Sequence, residues 1–180
     1  REAEAKVTSV VTLSSFGSFK GKRPRFTSGG SNGATISSSE SVLGGSSLYV
    51  PYNTSTNPLV AYQQSNDYIV SSGQDFNIEF FVKFTQYSGS GNKKIISNAS
   101  GASGSQWQIG LDPSNKFYAV AGTAIISTLV PTLNLWYYVR LSRSSNTISL
   151  QTAERYGNGQ FAGLTTYPTA TNSNSLGVSN

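Results

Sequence analysis

The chain has 180 residues, of which 12% are charged, 18 are glycine and none is cysteine or histidine, and its net charge is +5. These values exclude disulfide bonds, Cys/His zinc sites, thiol nucleophiles and a histidine general base. No apolar run approaches the ~20 residues of a membrane-spanning helix, so we expect no membrane insertion. The abundant glycine, serine, threonine and asparagine are typical of an all-β protein with many turns.

The N-terminal part contains two features that bear on origin and partners. Arg1–Ala5 (REAEA) resembles the remnant of a secretion leader, so we assign residues 6–180 to a single domain. A secreted protein would expose the glycosylation sequons at Asn53 and Asn98 to modification. Lys20–Arg25 is a dense basic cluster, interpreted as a solvated loop with an anionic glycan as the second assignment. No nucleic-acid-binding motif is present, so nucleic acid is not an expected partner.

Strand-like segments follow one another along the whole chain, and no stretch keeps an apolar period of 3.6 residues. The strongest signal is Phe76–Thr85, where apolar residues occupy every second position from Phe76 to Phe84. The predicted strands are Val7–Ser14, Ser47–Pro51, Leu59–Tyr62, Tyr68–Val70, Phe76–Thr85, Lys94–Asn98, Gln106–Leu111, Lys116–Ala121, Ala124–Leu129, Trp136–Arg143, Thr147–Thr152, Gln160–Leu164 and Ser175–Val178.

Turn signals join several of these strands into antiparallel hairpins. The turns are Asp112–Asn115 (DPSN), Ser144–Asn146 (SSN) and Gly157–Gly159 (GNG). So many short strands exceed what a single open sheet usually holds. We therefore predict an all-β fold of two packed antiparallel sheets, a β-sandwich.

Three segments together resemble a known family. They are Leu43–Val50 (LGGSSLYV), Asp75–Phe84 (DFNIEFFVKF) and Leu135–Leu150 (LWYYVRLSRSSNTISL). In order and spacing they resemble the concanavalin A-like, laminin-G-type jelly-roll domains of phage tail and secreted bacterial proteins. The resemblance covers about Val42 to Val178 and implies a jelly-roll sandwich in an extracellular or virion-associated protein.

The chain also departs from the family pattern. Phe81 stands where the family usually has Trp, and Tyr138 stands where His is usual. Members usually end with a further strand, whereas this chain stops at Asn180, about where that strand would begin. Three explanations remain open: a truncated chain, another segment such as Val7–Ser14 in that position, or a strand supplied by a neighbouring chain. The last implies a homo-oligomer or a larger parent assembly.

The alternation within the predicted strands leaves a polar and aromatic set pointing away from the core. If these strands are neighbours in one concave sheet, their outward residues form one patch suited to carbohydrate. The candidate ligand-binding residues are Glu79, Phe81, Lys83, Gln106, Gln108, Tyr138 and Arg140. The alternative is that the same residues coat a solvated sheet face. A second candidate is the tyrosine-bearing segment Tyr49–Tyr68, for which covering the ends of the sandwich is the preferred interpretation.

Catalysis and metal binding have weaker support. A glycosidase needs two carboxylates about 5–10 Å apart, and Glu79 has no second carboxylate on its strand face. Calcium is a further candidate cofactor with Asp67, Asp75 and Asp112 as ligands, although the same residues suit turn capping. We therefore predict a non-catalytic carbohydrate-binding or adhesion module. The alternatives are a structural assembly module completed by a neighbouring chain and, less favoured, a glycoside hydrolase or lyase.

Overall fold

The computed structural model describes residues 4–6, 11–16, 35–42, 47–50, 59–61, 70–87, 89–97 and 106–176. In this part of the chain there are fourteen strands and no helix, and hence no helix that could span a membrane. The strands are β1 (Glu4–Lys6), β2 (Val11–Phe16), β3 (Thr35–Ser37), β4 (Ser47–Val50), β5 (Leu59–Ala61), β6 (Phe76–Phe84), β7 (Lys93–Ser97), β8 (Trp107–Leu111), β9 (Phe117–Ala121), β10 (Thr123–Ile126), β11 (Trp136–Ser144), β12 (Thr147–Glu154), β13 (Thr165–Thr166) and β14 (Ala170–Thr171).

These strands form two antiparallel sheets and one separate strand pair. The larger sheet has eight strands in the order β13-β12-β11-β6-β2-β4-β3, with β14 also paired to β12. The smaller sheet has the order β10-β9-β8-β7, and β1 pairs with β5. The predicted all-β class with two antiparallel sheets is confirmed. Ten of the thirteen predicted strands overlap observed ones.

The two sheets share one hydrophobic core. Phe117 of the smaller sheet contacts Phe84 and Tyr137 of the larger sheet, with ring centroids 5.9 and 5.7 Å apart. Side chains of β6 alternate as predicted, and its inward residues are at most 6% exposed. They are Phe76, Ile78, Phe80, Val82 and Phe84. Burying each of these side chains contributes roughly 1.5–3 kcal/mol, which makes β6 a main source of stability.

The predicted hairpin turns are present. Between β8 and β9, the Asn115 amide donates to the Asp112 carbonyl at 2.9 Å, and Asp112 Oδ1 accepts the Lys116 amide at 2.8 Å. Between β11 and β12, Ser145 and Asn146 have φ values of 48° and 67°. Two successive positive φ values are the mark of a type I′ turn, whose twist matches that of the flanking strands.

The turn after β12 also forms as predicted, although the strand expected after it does not. The Gly159 amide donates to the Tyr156 carbonyl at 2.9 Å, and Gly159 has a φ of 84°. The predicted strand Gln160–Leu164 is reduced to a single bridge between Phe161 and Arg155. Backbone pairing with β12 is therefore interrupted after Ala162 and resumes at β13.

Other differences concern short elements. The predicted strands that include Val70 and Leu176 are reduced to the bridge between these two residues. The strands β1, β3, β13 and β14 were not predicted, because two or three residues are too few to show a period. Glu4 and Ala5, assigned above to a leader remnant, lie in β1. In the larger sheet β2 lies between β6 and β4, which is a central position.

A buried arginine joins β11 to two loops. The Arg143 side chain is 1% exposed and donates to the carbonyls of Ser71 at 2.6 Å, Gln74 at 2.7 Å and Asn174 at 2.7 Å. Its guanidinium also lies over the Phe76 ring, 5.5 Å from the centroid. Burial lowers the pKa of Arg143, an effect that Asp75 partly offsets. The charge is thus compensated mainly by backbone dipoles, and the residue fastens both loops to the sheet.

Candidate functional site

The pairing of β6 with β11 brings five of the seven predicted site residues onto one sheet face. Tyr138 is the register partner of Phe81, and Arg140 is the register partner of Glu79. Lys83 is paired with Trp136 one step further along. Because the alternate residues of β6 point into the core, this set lies on the opposite face, which we call the outer face.

Three aromatic rings meet on the outer face. The Phe81 ring centroid lies 5.5 Å from that of Tyr138 and 5.2 Å from that of Phe161, in tilted arrangements. Phe161 comes from the segment after β12, and its place on this face was not predicted. Phe161 falls in the predicted strand Gln160–Leu164, but only a single bridge forms there, so alternation along that segment could not assign the direction of its side chain. The three rings form an apolar wall beside the polar part of the face.

A short hydrogen bond links two of the predicted residues. The Tyr138 hydroxyl donates to Glu79 Oε2 at 2.5 Å. Burial raises the pKa of Tyr138 to about 12, and the hydrogen bond and negative charge of Glu79 add to this effect. Arg140 acts in the opposite direction, because its positive charge favours the tyrosinate. The phenol therefore stays protonated at neutral pH and holds the carboxylate of Glu79 in place.

Lys83 is predicted above as an outward-pointing ligand-binding residue, but it is only 6% exposed. Its ammonium forms an ion pair with Glu40, a residue that the sequence analysis did not select. The ammonium also lies 5.6 Å from the centroid of the Trp136 ring. The Ser47 hydroxyl fixes the segment that carries Glu40 by donating to its carbonyl at 2.6 Å. The charge of Lys83 is thus already compensated within the protein.

A row of polar side chains crosses the outer face beside the aromatic wall. In register, Arg140 of β11 lies between Glu79 of β6 and Gln151 of β12. Gln151 Nε2 donates to the Thr166 hydroxyl at 2.8 Å, which extends the row to β13. Asn77 lies two residues before Glu79 and faces the same way. Alternation along β12 would have found Gln151, since its neighbours on the strand point into the core.

Three atoms of this row lack hydrogen-bond partners. They are Asn77 Oδ1, Arg140 Nε and Gln151 Oε1, each shielded from solvent and unpaired within the described part of the chain. An unpaired buried polar atom costs roughly 1–3 kcal/mol. Most buried polar groups in proteins are paired, so three exceptions on adjacent strands need a reason. Rotation of these side chains toward a ligand would let the polar atoms recover the missing hydrogen bonds.

Gln106 and Gln108 do not join the outer face, which corrects the prediction of a single patch. Gln108 lies in β8 of the smaller sheet, next to β7 and β9, and is 7% exposed. Gln106 immediately precedes that strand. All five residues of β8 are buried, so both faces of this strand are covered. Alternation assigns a residue to one face of a strand, but it does not say to which sheet the strand belongs.

The remaining sequence candidates are only partly described. Tyr49 lies on β4 and is 37% exposed. Asp75 Oδ1 accepts the Ser145 amide at 2.9 Å, and Asp112 caps its own turn, as the turn-capping interpretation predicts. Among the described residues, no group of three or more acidic side chains could hold a metal ion. The candidates that lie outside the described residues are Lys20–Arg25, Tyr52, Asn53, Tyr62, Asp67, Tyr68 and Asn98.

Comparison with known proteins adds no relative. No protein-family model matches the chain, and searches of curated proteins and of solved structures return no match. The resemblance to laminin-G-type domains therefore stays a prediction from three sequence segments.

Proposed function

We propose that the chain is a non-catalytic carbohydrate-binding module and that the outer face, centred on Arg140, is its binding surface. The observation that carries this proposal is the set of three unpaired polar atoms, on Asn77, Arg140 and Gln151. They lie on three adjacent strands beside a wall of aromatic rings. Sugars present hydroxyl groups at their edges and C–H groups on their faces, so they match a surface that combines hydrogen-bonding groups with aromatic planes.

The charges on this face favour a neutral glycan over a strongly anionic one. Lys83 is compensated by Glu40, and Arg140 has Glu79 as its register partner. No excess of positive charge then remains on the described part of the face to attract sulfate or carboxylate groups. Recognition would depend on hydrogen bonds from amide and guanidinium groups, and an acidic glycan is the second choice.

The proposed fold is a concanavalin A-like jelly-roll sandwich in an extracellular or virion-associated protein. Its support is the family resemblance together with two antiparallel sheets that share one core. The resembling segments contribute β4, β6, β11 and the first half of β12, all in the larger sheet. Such domains often use one sheet face or one rim for recognition, which agrees with a site on the outer face.

A glycoside hydrolase or lyase would need a second carboxylate beside Glu79. Glu40 is another carboxylate that reaches the outer face, where it pairs with Lys83. Lys83 lies four positions beyond Glu79 on β6, a separation of about 13 Å along the strand. Both carboxylates also have partners of their own, Tyr138 and Lys83. This arrangement supports binding in preference to a two-carboxylate mechanism.

A glycan array followed by calorimetric titration tests the proposal. We expect the protein to bind at least one glycan, and Arg140→Gln and Gln151→Ala each to weaken that binding by about tenfold or more, as loss of one or two hydrogen bonds implies. Gln160→Ala serves as the matched control, because Gln160 is exposed and lies in the turn after β12. Thermal unfolding verifies that each variant is folded. Failure to bind any glycan, or equal binding by all variants, would refute the site.

A further inference from the structure

A second surface feature lies at one end of the shared core, on the side of β12 opposite to the outer face. It is a pocket of about 300 Å³ between the end of β12, the chain from Ala162 to Tyr167 and the residues Thr128 and Leu129. Thr152 and Glu154, the register partners of the inward-facing Val139 and Tyr137, line it, whereas Gln151, the residue before Thr152, belongs to the outer face. The side chains of Glu154 and Gln151 therefore lie on opposite sides of β12. A volume of this size is at the lower end of the range for small-molecule sites.

One charged group, Glu154, lines the pocket. Glu154 Oε2 accepts a hydrogen bond from the Tyr137 hydroxyl at 3.0 Å, and this hydroxyl itself accepts the Thr132 amide at 2.8 Å. Tyr137 is fully buried, so the carboxylate is held from the protein side. Glu154 forms no ion pair with any described residue. The neighbouring Arg155 is directed elsewhere, because its Nε donates to the Gly159 carbonyl at 3.3 Å.

The rest of the lining consists of uncharged residues. The Thr152 and Tyr167 hydroxyls are hydrogen-bonded to each other at 2.8 Å. Leu129, Ala153 and Ala162 contribute hydrocarbon surface. A half-buried carboxylate with hydrocarbon walls is complementary to a cationic group that carries a short apolar chain.

Exposed hydrophobic residues flank this lining in the sequence. Val130, next to Leu129, is 43% exposed, and Leu164, between Gly163 and Thr165, is 49% exposed. They are two of the five large hydrophobic side chains that the described residues expose. Apolar surface beside a pocket is a common feature of ligand-binding sites.

We propose that this pocket binds a small organic ammonium ion, with Glu154 as the counter-ion and the hydrocarbon part against Leu129, Ala153 and Ala162. The positive charge replaces the partner that Glu154 lacks within the described chain. Tyr137 is a positioning residue, since it holds the carboxylate without lining the pocket. The proposal does not depend on carbohydrate binding by the outer face.

Titration of the ¹⁵N-labelled protein with n-butylammonium chloride at low salt, followed by amide chemical shifts, tests this. We expect saturable shifts confined to Ala153, Ala162, Gly163 and Thr165, and an affinity for the neutral 1-butanol that is at least about tenfold lower. Glu154→Gln should remove this preference for the cation. Glu79→Gln makes the same change from carboxylate to amide on the outer face and is the control. It should leave the butylammonium-induced shifts of the pocket residues unchanged.

A second variant keeps Glu154 and fills the pocket. Ala162→Leu should abolish the shifts while the carboxylate remains, so the test stands even if Glu154→Gln fails to fold. The proposal is overturned if the wild-type shifts do not saturate, if butanol binds as well as butylammonium, or if Ala162→Leu binds normally. Glycan binding by the outer face is measured on separate samples. A negative result for one site therefore does not affect the conclusion about the other.

Discussion

Arg143 is a buried charge whose neighbours explain its presence. Its side chain is 1% exposed, and it donates to backbone carbonyls in two loops that are far apart in sequence. The guanidinium thereby ties both loops to β11, and the Ser71 carbonyl accepts the Gln74 amide as well. Hydrogen bonds from charged donors contribute roughly 1.5–3 kcal/mol each, and removal of one partner from a buried charged network typically costs about 3–5 kcal/mol.

We therefore expect Arg143→Met to lower the free energy of unfolding by about 3–5 kcal/mol. Methionine keeps much of the apolar volume but removes the hydrogen bonds from the guanidinium to the carbonyls of Ser71, Gln74 and Asn174. Arg155→Met is the matched control and should cost under about 1 kcal/mol, because Arg155 makes a single long hydrogen bond near the surface. Urea denaturation measures both. Equal losses in the two variants would show that Arg143 has no special structural role.

Tyr118 gives a prediction with a pH dependence. Its side chain is 3% exposed, its hydroxyl has no hydrogen-bond partner in the described part of the chain, and burial raises its pKa to about 12. The folded protein favours the neutral phenol of Tyr118. The stability that this preference contributes is complete below pH 10, the pKa of a tyrosine in the unfolded chain, and is lost as the pH rises toward 12. A shift of this size corresponds to roughly 2–3 kcal/mol.

Tyr118→Phe should accordingly leave stability at pH 7 unchanged or raise it by up to about 1 kcal/mol, since it removes an unpaired buried hydroxyl. Above pH 10 the variant should lose less stability than the wild type. Tyr156→Phe, at a side chain that is 54% exposed, is the control and should follow the wild-type curve. Urea denaturation between pH 7 and pH 11.5 measures the difference. A variant that is less stable at pH 7 would reveal a hydrogen bond to this hydroxyl.

At the scale of elements, β8 is the strand whose environment differs most from its sequence pattern. The alternation of Trp107, Ile109 and Leu111 correctly predicts its core residues, yet the other face is buried as well. Gly110 explains part of this, because the ring of its register partner Tyr118 lies over it. An aromatic side chain that covers a glycine on the neighbouring strand shields the backbone there.

Gly110→Ala should therefore destabilise the protein by about 1–3 kcal/mol or more. A Cβ at this position would lie 2.1 Å from the Lys93 carbonyl oxygen and 2.8 Å from the Tyr118 ring, and the first contact involves backbone that has little freedom to move. Gly157→Ala is the control, since nothing lies within 4 Å of a Cβ there. Thermal unfolding compares the two variants. If Gly110→Ala and Gly157→Ala unfold at the same temperature, β7 and β8 do not approach each other closely at Gly110.

Particular residues show what the sequence could and could not predict. The inward set of β6 and the outward set Glu79, Phe81, Tyr138 and Arg140 follow from alternation in two long strands, which is a local property. The pairing of those strands is a long-range property that alternation does not contain: β6 and β11 are neighbours in one sheet, whereas β8 lies in the other. Glu40 lies outside any strand, and the strand predicted around Phe161 is reduced to a single bridge, so alternation could not place either side chain on the outer face.

At the scale of the whole molecule, the position of β2 decides how the larger sheet holds together. In the sheet order, β2 alone connects the β4-β3 pair to β6 and the strands beyond it. The predicted strand Val7–Ser14 overlaps β2. A central strand hydrogen-bonds on both sides, so its loss removes two ladders at once.

Truncations from the N-terminus separate the contributions of β2 and β1. Removal of residues 1–16 should abolish cooperative unfolding, because it divides the eight-stranded sheet into two parts and exposes two strand edges. Removal of residues 1–6 should cost less, since β1 has three residues and is hydrogen-bonded to one described strand, β5, although it also lies close to β7. Urea denaturation followed by tryptophan fluorescence and far-UV circular dichroism measures both. A cooperative, fully stable protein without residues 1–16 would exclude β2 from the centre of the sheet. It would instead favour a closing strand supplied by a neighbouring chain, which light scattering would detect as concentration-dependent association.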